Sequence, residues 1–396
     1  MTPDGTLSTV QVAAYLGVKV ETVYAYVSRG VLTPVRRGGP GGSLFDAEEV
    51  ADLRDGVRRP AARAAAGASV EVRTRLTQVM TGPDRLAYRG RDVVQLSRTA
   101  TFEEVCTLLW QQEEPVPVPT AQESEELARL LAALPPQTSA LDRFKHAVLL
   151  EGGTDHGRHD RRPGAFVAAG ARIMGLLVRA LAEGTGAAAP AAERGTVAAR
   201  VAAALGTDRV EDVDATLVLL ADHDMAVSTT ALRVAVSGGA DLSTALLAAL
   251  AAADSPLHVG APSVAHGWLR AALEDPRAAL GAALAAERPP AGFGHVVYRE
   301  ADPRADELYR RLRERCPGEV VEAVDLLAGE LLERRGWPMT VDLPLALWAL
   351  VDGLPRETGS AVFALARTAG WVAHAVEELA EPGMRFRLTG LYTGER

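Results

Sequence analysis

Cysteine is almost missing from this sequence: Cys106 and Cys316 are the only two in 396 residues. Two distant cysteines make neither a disulfide framework nor a zinc site, and both read as small buried hydrophobes. Positive charge is not in excess either. The 42 Lys and Arg against 51 Asp and Glu leave a formal net charge of -9, which excludes coating nucleic acid with the whole chain. No apolar run stands out as long enough for a bilayer. The longest tracts, such as 245–253, are short and Ala-rich and suit a buried helix. The basic-then-apolar pattern of a signal peptide is lacking as well, so a cytoplasmic protein without a membrane partner is expected. What is present is a composition of 48% hydrophobic and 23% charged residues, as in folded globular proteins. Alanine and leucine dominate, which favours helix over strand. The length calls for two or three domains.

Residues 1–60 differ from the rest. Ser8 or Thr9 can cap a short helix that Gly17 ends, and Val20 to Arg29 reads as a second helix stopped by Gly30. Two short helices joined at a glycine make a helix-turn-helix candidate. Arg36 and Arg37 precede a hairpin tip at Gly38 to Gly42. Asp46 is placed to cap a third helix, with Glu49 as its capping-box partner. The stretch AAYLGVKVETVYAYVSRGVL, with the glycine-rich tip after it, resembles the winged helix-turn-helix of the MerR and excisionase type. In that family the second helix enters the major groove and the wing touches phosphates. The resemblance implies DNA contacts from Thr22, Tyr24, Tyr26, Arg29, Arg36 and Arg37. Charge does not favour it: the 7 basic residues (19, 29, 36, 37, 54, 58, 59) are matched by 7 acidic ones (4, 21, 46, 48, 49, 52, 55). A neutral module has little non-specific pull on DNA, and its alternative role is subunit or partner contact.

Residues 58–68 are rich in Arg, Ala and Gly and read as a linker, which after the module at 1–60 covers 61–69. Alternation at Val70, Val72, Thr74 and Leu76 suggests short strands before Tyr88. Thr101 then caps the first of many helices, and 184–192 reads as a surface loop. His156 and His159 lie near Asp155 and Asp160, but their Gly- and Arg-rich surroundings read as a polar loop rather than a metal site.

Several segments, in order, resemble citrate synthase. They are LAYRGRDVVQLSRTATFEEVCTLLW, LLADHDMAVSTTALRVAVSGGADLSTAL, SPLHVGAPSVAHGWL, GFGHVVYREADPRADEL, VDLPLALWAL, ALARTAGWVAHAVEEL and RLTGLYTG. The resemblance spans most of the chain from Val70 to Gly394. It implies a mostly all-α fold with a large helical domain (70–257 and 348–396) and a small one (258–347). It also implies a reaction in which the enol or enolate of an acyl-CoA attacks the ketone of oxaloacetate, with acetyl-CoA or propionyl-CoA as substrate and CoA as product. No metal or tightly bound cofactor is called for.

That chemistry needs a base near the acyl carbon, a donor to the thioester oxygen, a donor to the ketone and cations for a dianion. Asp342 matches the family's catalytic aspartate. Its place at a helix start also reads as an ordinary cap, and its reference pKa of ~3.9 makes it a weak base that needs help. His258, before a helix opened by Pro262, matches the histidine that donates to the thioester oxygen. A helix N-terminus disfavours its charged form. His295 matches the histidine that polarises the ketone. Arg304, Arg367 and Arg387 match the substrate arginines, whose guanidinium forks suit carboxylates, and His223 matches a further substrate histidine. The family places the last arginine in the other subunit's site, so a homodimer with shared active sites is expected. For CoA the resemblance offers Arg299, taken as one helical turn past His295, for a phosphate, and the loop at Gly292, Phe293 and Gly294, which matches the one that receives the adenine. With no P-loop or dinucleotide fingerprint, phosphates fall to side chains and loop amides.

The sequence also departs from the family. Val259-Gly260-Ala261-Pro262 follows the first histidine where glycines and Ala-Asn are usual. Ser255 stands for a glycine, Leu220 for a histidine, Ala226 for an asparagine and Leu388 for a proline. A site displaced by about an ångström loses most of its rate. These departures and the N-terminal module motivate the alternative reading, a DNA-binding regulator that uses the domain as a metabolite sensor with little or no turnover.

Overall fold

The chain forms two units, residues 1–73 and 74–396. The computed structural model describes residues 6–28, 31–36, 43–47, 50, 53, 72–186 and 195–387. The expected linker 61–69 and most of the loop at 184–192 lie outside them, as do Arg29, Gly30, Arg37, Glu49 and Leu388.

In the first unit, β1 (Thr6–Ser8), α1 (Thr9–Leu16), α2 (Val20–Ser28), β2 (Pro34–Arg36) and β3 (Leu44–Asp46) form a winged helix-turn-helix. The sheet order is β1-β3-β2, antiparallel throughout. Ser8 caps α1 and Gln11 reaches back to the Ser8 amide at 2.8 Å, closing a capping box. Gly17 ends the helix in the left-handed region at φ 66°. Val12, Val23, Leu32, Phe45 and Val50 make the small core. Asp46 ends β3 and the next residue is helical, as a capping position requires.

In the second unit a three-stranded antiparallel sheet, β4 (Thr77–Met80), β5 (Arg85–Tyr88) and β6 (Arg91–Asp92), comes first. The alternating residues 72–76 precede the strands instead of forming one. The pairing is set by the turn at 81–84, and its register starts at Thr77 opposite Tyr88.

Helices follow: α3 (Val93–Thr99), α4 (Phe102–Trp110), α5 (Ala121–Ala132), α6 (Ala140–Thr154), α7 (Pro163–Thr185), α8 (Val197–Leu205), α9 (Val210–Leu220), α10 (Val227–Ser237) and α11 (Leu242–Ala253). After them come α12 (Ala261–Ala272), α13 (Pro276–Ala285), α14 (Pro303–Arg313), α15 (Gly318–Arg335), α16 (Asp342–Val351) and α17 (Thr358–Leu379). Thr101 caps α4, with Glu104 completing the box.

Two long helices organise the core. Nearly every side chain of α17 from Thr358 to Ala375 is buried, so it is a central helix and not an amphipathic surface one. α7 packs beside it and corrects the expectation about apolar length. This helix is long and apolar enough to cross a membrane, with mean hydropathy 1.7 over its best window, yet 78% of that window is buried inside the fold. Arg172 interrupts the run in sequence and pairs with Glu151 and Asp155 in the structure. Cys106 is buried as expected, and Cys316 is half-buried against the core.

Candidate active site

The backbone of the site is a set of loop-to-helix junctions. His223 follows α9, His258 precedes α12, His295 precedes α14, and Asp342 opens α16. Arg304 lies in the first turn of α14 and Arg367 in the middle of α17. All of them lie in the second unit.

Asp342 is not a cap. Val341 holds that position without a side-chain bond, and Asp342 is the first helical residue. Its Oδ2 accepts a hydrogen bond from Thr340 Oγ1 at 2.9 Å. Burial pushes its pKa up to about 6, opposed by Thr340 and Arg304. The carboxylate is thus a stronger base than an exposed aspartate, and still mainly ionised at neutral pH.

His295 Nδ1 accepts from the backbone N–H groups of Val297 and Tyr298 at 3.0 and 3.1 Å. In the neutral ring the hydrogen therefore sits on Nε2. Burial brings its pKa down to about 4, with Asp302 opposing and Arg304 assisting. The Tyr298 ring lies 4.6 Å from the His295 ring, and its hydroxyl meets His223 Nε2 at 3.0 Å. The rings of His223 and His295 are 5.5 Å apart. Burial, then Arg304 and Arg367, holds His223 well below the usual imidazole range.

His258 also titrates near 4, through burial first and Arg367 second. Desolvation, more than the helix end expected from sequence, keeps it neutral. Its Nε2 is 2.8 Å from Ser228 Oγ, which accepts from Trp371 Nε1 at 3.3 Å. Phe363 stands edge-on to His258, 6.2 Å between centroids, and lies 4.8 Å below the Arg367 guanidinium.

The arginines are in different states. Arg304 is held by Asp302 through Nε at 3.0 Å and Nη2 at 2.8 Å. Asp302 also accepts the Val341 amide at 3.2 Å, which ties the Arg304 helix to the start of the Asp342 helix. Arg367 is 1% exposed; its Nε donates to the Leu220 carbonyl at 3.0 Å, and its Nη2 has no partner. Burial lowers its pKa to about 10. Arg387 is exposed just after the turn at 383–386.

The three histidines, Asp342, Arg304 and Arg367 lie within electrostatic reach of one another through the two arginines. Arg304 acts on His223, His295 and Asp342. Arg367 acts on His223 and His258 and feels Arg304 in turn.

Around the expected CoA loop, Gly292 and Gly294 have φ 91° and 78°, and a Cβ at Gly292 would lie 2.8 Å from Leu343 Cδ1. Phe293 is buried edge-on against Trp268. The amides of Phe293 and Gly294 serve the carbonyls of Pro290 and Pro338. Arg299 is exposed and lies in a bend, not on a helix; its backbone N–H, with those of Glu300 and Ala301, donates to Asp84 Oδ2 at 2.8 to 3.1 Å.

The departures are absorbed locally. Val259 is fully buried, Pro262 sits at the start of α12, and Leu220 is a core residue whose carbonyl serves Arg367. Ala226 leaves α10 without a side-chain cap.

Elsewhere, Thr22, Tyr24 and Tyr26 lie on α2. Tyr24 is exposed, Thr22 is half-buried, and Tyr26 packs against the core of its unit. Arg36 is exposed at the end of β2, and Arg29 and Arg37 lie outside the described residues. The carboxylates beside His156 and His159 are taken by Arg172 and Arg162.

Sequence reasoning passed over Ser228, Tyr298, Asp302 and Thr340. Each acts through another residue, and no motif marks such a role. Asp302 alone had a signal, since it directly precedes Pro303-Arg304.

Comparison with known proteins agrees with this architecture. Residues 67–388 match the family described as citrate synthase, C-terminal domain, and residues 6–55 match a helix-turn-helix domain. A 2-methylcitrate synthase of Corynebacterium glutamicum is 29% identical over 81% of this chain and 92% of its own. A citrate synthase of Saccharolobus solfataricus is 30% identical over 48% of this chain and 53% of its own. Among solved structures, a citrate synthase from Thermoplasma acidophilum, in a ternary complex with carboxymethyl coenzyme A and oxaloacetate, has the same fold. Its TM-score is 0.71 at 24% identity, over 84% of this chain and 96% of that one. With a family match running over most of its length, the chain belongs to the citrate synthase family, enzymes that transfer an acyl group and convert it to an alkyl group.

Proposed function

We propose that the protein condenses an acyl-CoA with oxaloacetate, Asp342 serving as the base, His258 as donor to the thioester oxygen and His295 as donor to the ketone. The observation that carries this reading is the placement of Asp342, His258 and His295, all half-buried, at turns that open helices, with Arg304 and Arg367 acting on them. One carboxylate is raised to about 6, and two imidazoles lowered to about 4 sit in the same field of arginines. At neutral pH the carboxylate can take a proton while both rings remain neutral donors, which is the division of labour enolisation requires.

Asp342 removes a proton from the acyl carbon next to the thioester. As the enol forms, His258 donates to its oxygen. Trp371 donates to Ser228; in the tautomer where Ser228 donates to His258 Nε2, the ring keeps Nδ1–H for the thioester. His295 Nε2–H polarises the oxaloacetate ketone and protonates the alkoxide as the carbon–carbon bond forms. Hydrolysis of the thioester then releases CoA.

The dianion needs net positive charge. Arg304 is balanced by Asp302, whereas Arg367 keeps an unpartnered Nη2 for a carboxylate. The exposed Arg387 is available to a neighbouring copy, consistent with a homodimer whose sites are shared. Arg299 is exposed on the same loop as His295 and is assigned to a CoA phosphate.

The acyl group is acetyl, giving citrate, or propionyl, giving 2-methylcitrate. The relatives carry both names, and one methylene in a small pocket is worth only about 1–3 kcal/mol. The relatives compared here are all named as synthases, which lends nothing to a sensor without turnover. The test is thiol release from acetyl-CoA and propionyl-CoA with oxaloacetate, for wild type and Asp342→Asn. Turnover in wild type that is lost in the variant is expected; equal background release in both defeats the reading.

A further inference from the structure

One chain of deeply buried polar and charged side chains starts beside His223. Asp222, Arg233 and His374 are fully buried, and Glu378 is 2% exposed. Arg233 Nη1 donates to His374 Nδ1 at 2.8 Å and to Glu377 Oε2 at 2.7 Å, while its Nε donates to Glu378 Oε2 at 2.8 Å. A guanidinium only donates, so His374 Nδ1 accepts and the ring hydrogen sits on Nε2. From there it donates to Asp222 Oδ2 at 3.2 Å. The same oxygen accepts from Thr77 Oγ1 and from the Asp224 amide. Asp222 and Asp224 flank His223, and Asp224 has φ 54°, so this one carboxylate braces the turn that carries the histidine.

The approach of α17 makes the contact possible. Arg367, Gly370 and His374 share one face of that helix at spacings of three and four. The Gly370 amide donates to the Ala221 carbonyl at 3.0 Å, and a Cβ there would collide with Asp222 Oδ1.

Asp222 Oδ1 has no partner, nor does Arg367 Nη2, and the two charges act on each other. Asp222 thus has two possible allegiances. Held by His374, it leaves Nη2 to a ligand. Released, it can take that nitrogen itself.

We propose that His374 is a positioning residue for the dicarboxylate, holding Asp222 so that the turn under His223 is fixed and Arg367 stays open to substrate. The proposal rests on the condensation reading above.

Two amide variants of the full-length protein test it. His374→Gln places an amide near the Nε2 position and still reaches Asp222. His374→Asn places one near Nδ1, keeps the bond to Arg233 and loses Asp222. His374→Asn is expected to raise the KM for oxaloacetate about tenfold or more, the usual weight of a hydrogen bond to a charged group, with the KM for acyl-CoA unchanged. His374→Gln should stay within about threefold of wild type on that same scale. Equal oxaloacetate constants in all three proteins overturn the proposal, and so does a parallel rise for both substrates. If either variant fails to fold, Thr77→Val removes another donor to the same oxygen. A selective rise in oxaloacetate KM then supports the proposal, and no rise overturns it. Wild-type protein that neither binds nor turns over oxaloacetate defeats the condensation reading itself, and this proposal with it.

Discussion

The two units bury different things. The N-terminal unit has a core of leucine, valine, alanine and phenylalanine, and none of its charged residues among those described is buried. The catalytic unit buries Asp222, Arg233, Asp302, Arg304, Glu307, Arg367, His374 and Glu378 almost completely. Burying ions costs several kcal/mol each unless partners are well placed, and apolar residues of like volume would do as well for stability alone. A charge kept in the interior at that cost therefore points to chemistry. Among the described residues, the first unit is held by apolar packing, and the proposed reaction is placed in the second.

The largest expected effect sharpens this contrast at its centre. Asp342→Asn should lower kcat by about a thousandfold while leaving the KM for oxaloacetate near wild type, since general-base contributions run to about 10²–10⁴. Steady-state thiol release measures it, and a kcat within tenfold of wild type would remove Asp342 from the role of base. Next in size is Arg367→Ala. Losing a guanidinium whose buried Nη2 has no partner should weaken oxaloacetate by about 10- to 100-fold, read as KM or by calorimetric titration.

The pH profile tests the same arrangement without a mutation. Asp342 must be ionised to accept a proton, so kcat should fall about tenfold per unit below pH 6 and level off above it. The histidines, lowered to about 4, stay neutral through that range and add no second limb there. The same limb surviving in the residual activity of Asp342→Asn, which has no carboxyl group at that position, would assign the titration to another group. Ser228→Ala should cost a smaller factor, about two- to tenfold in kcat, the weight of one neutral hydrogen bond to His258.

Smallest is the effect that would break the comparison. Residues 74–396 alone hold every assigned catalytic and oxaloacetate-binding group, so their isolated kcat should lie within about twofold of the full chain, far inside the factors of catalytic groups. A large loss would show that the first unit contributes to the site.

Much of this was legible in the sequence, but unevenly. Local signals were read correctly where the physics is local. Ser8 and Thr101 as caps and Gly17 as a helix end each act within one helical turn, and the structure has them as expected. The errors fell where distant chain decides. Residues 70–76 alternate like a strand, but pairing partners set the register from Thr77. Asp342 reads as a cap, but the backbone turns one residue earlier and leaves its carboxylate in the site. The apolar length of α7 was missed because Arg172 breaks the run, while its partners Glu151 and Asp155 lie on another helix and the loop after it.

The sequence by itself determined the helical class, the helix-turn-helix at the front, and the two histidines, one aspartate and the arginines on which the family resemblance rests. Those are matters of residue type and order, which need no coordinates. Only the tertiary structure decided how those residues are charged and which of them are free. Protonation follows from burial and from neighbours far away in the chain, such as Arg304 beside Asp342 and Arg367 beside His258. The same holds for His374. It carries no motif role of its own, and its place between Arg233 and Asp222 exists only because α17 packs closely against the turn before α10.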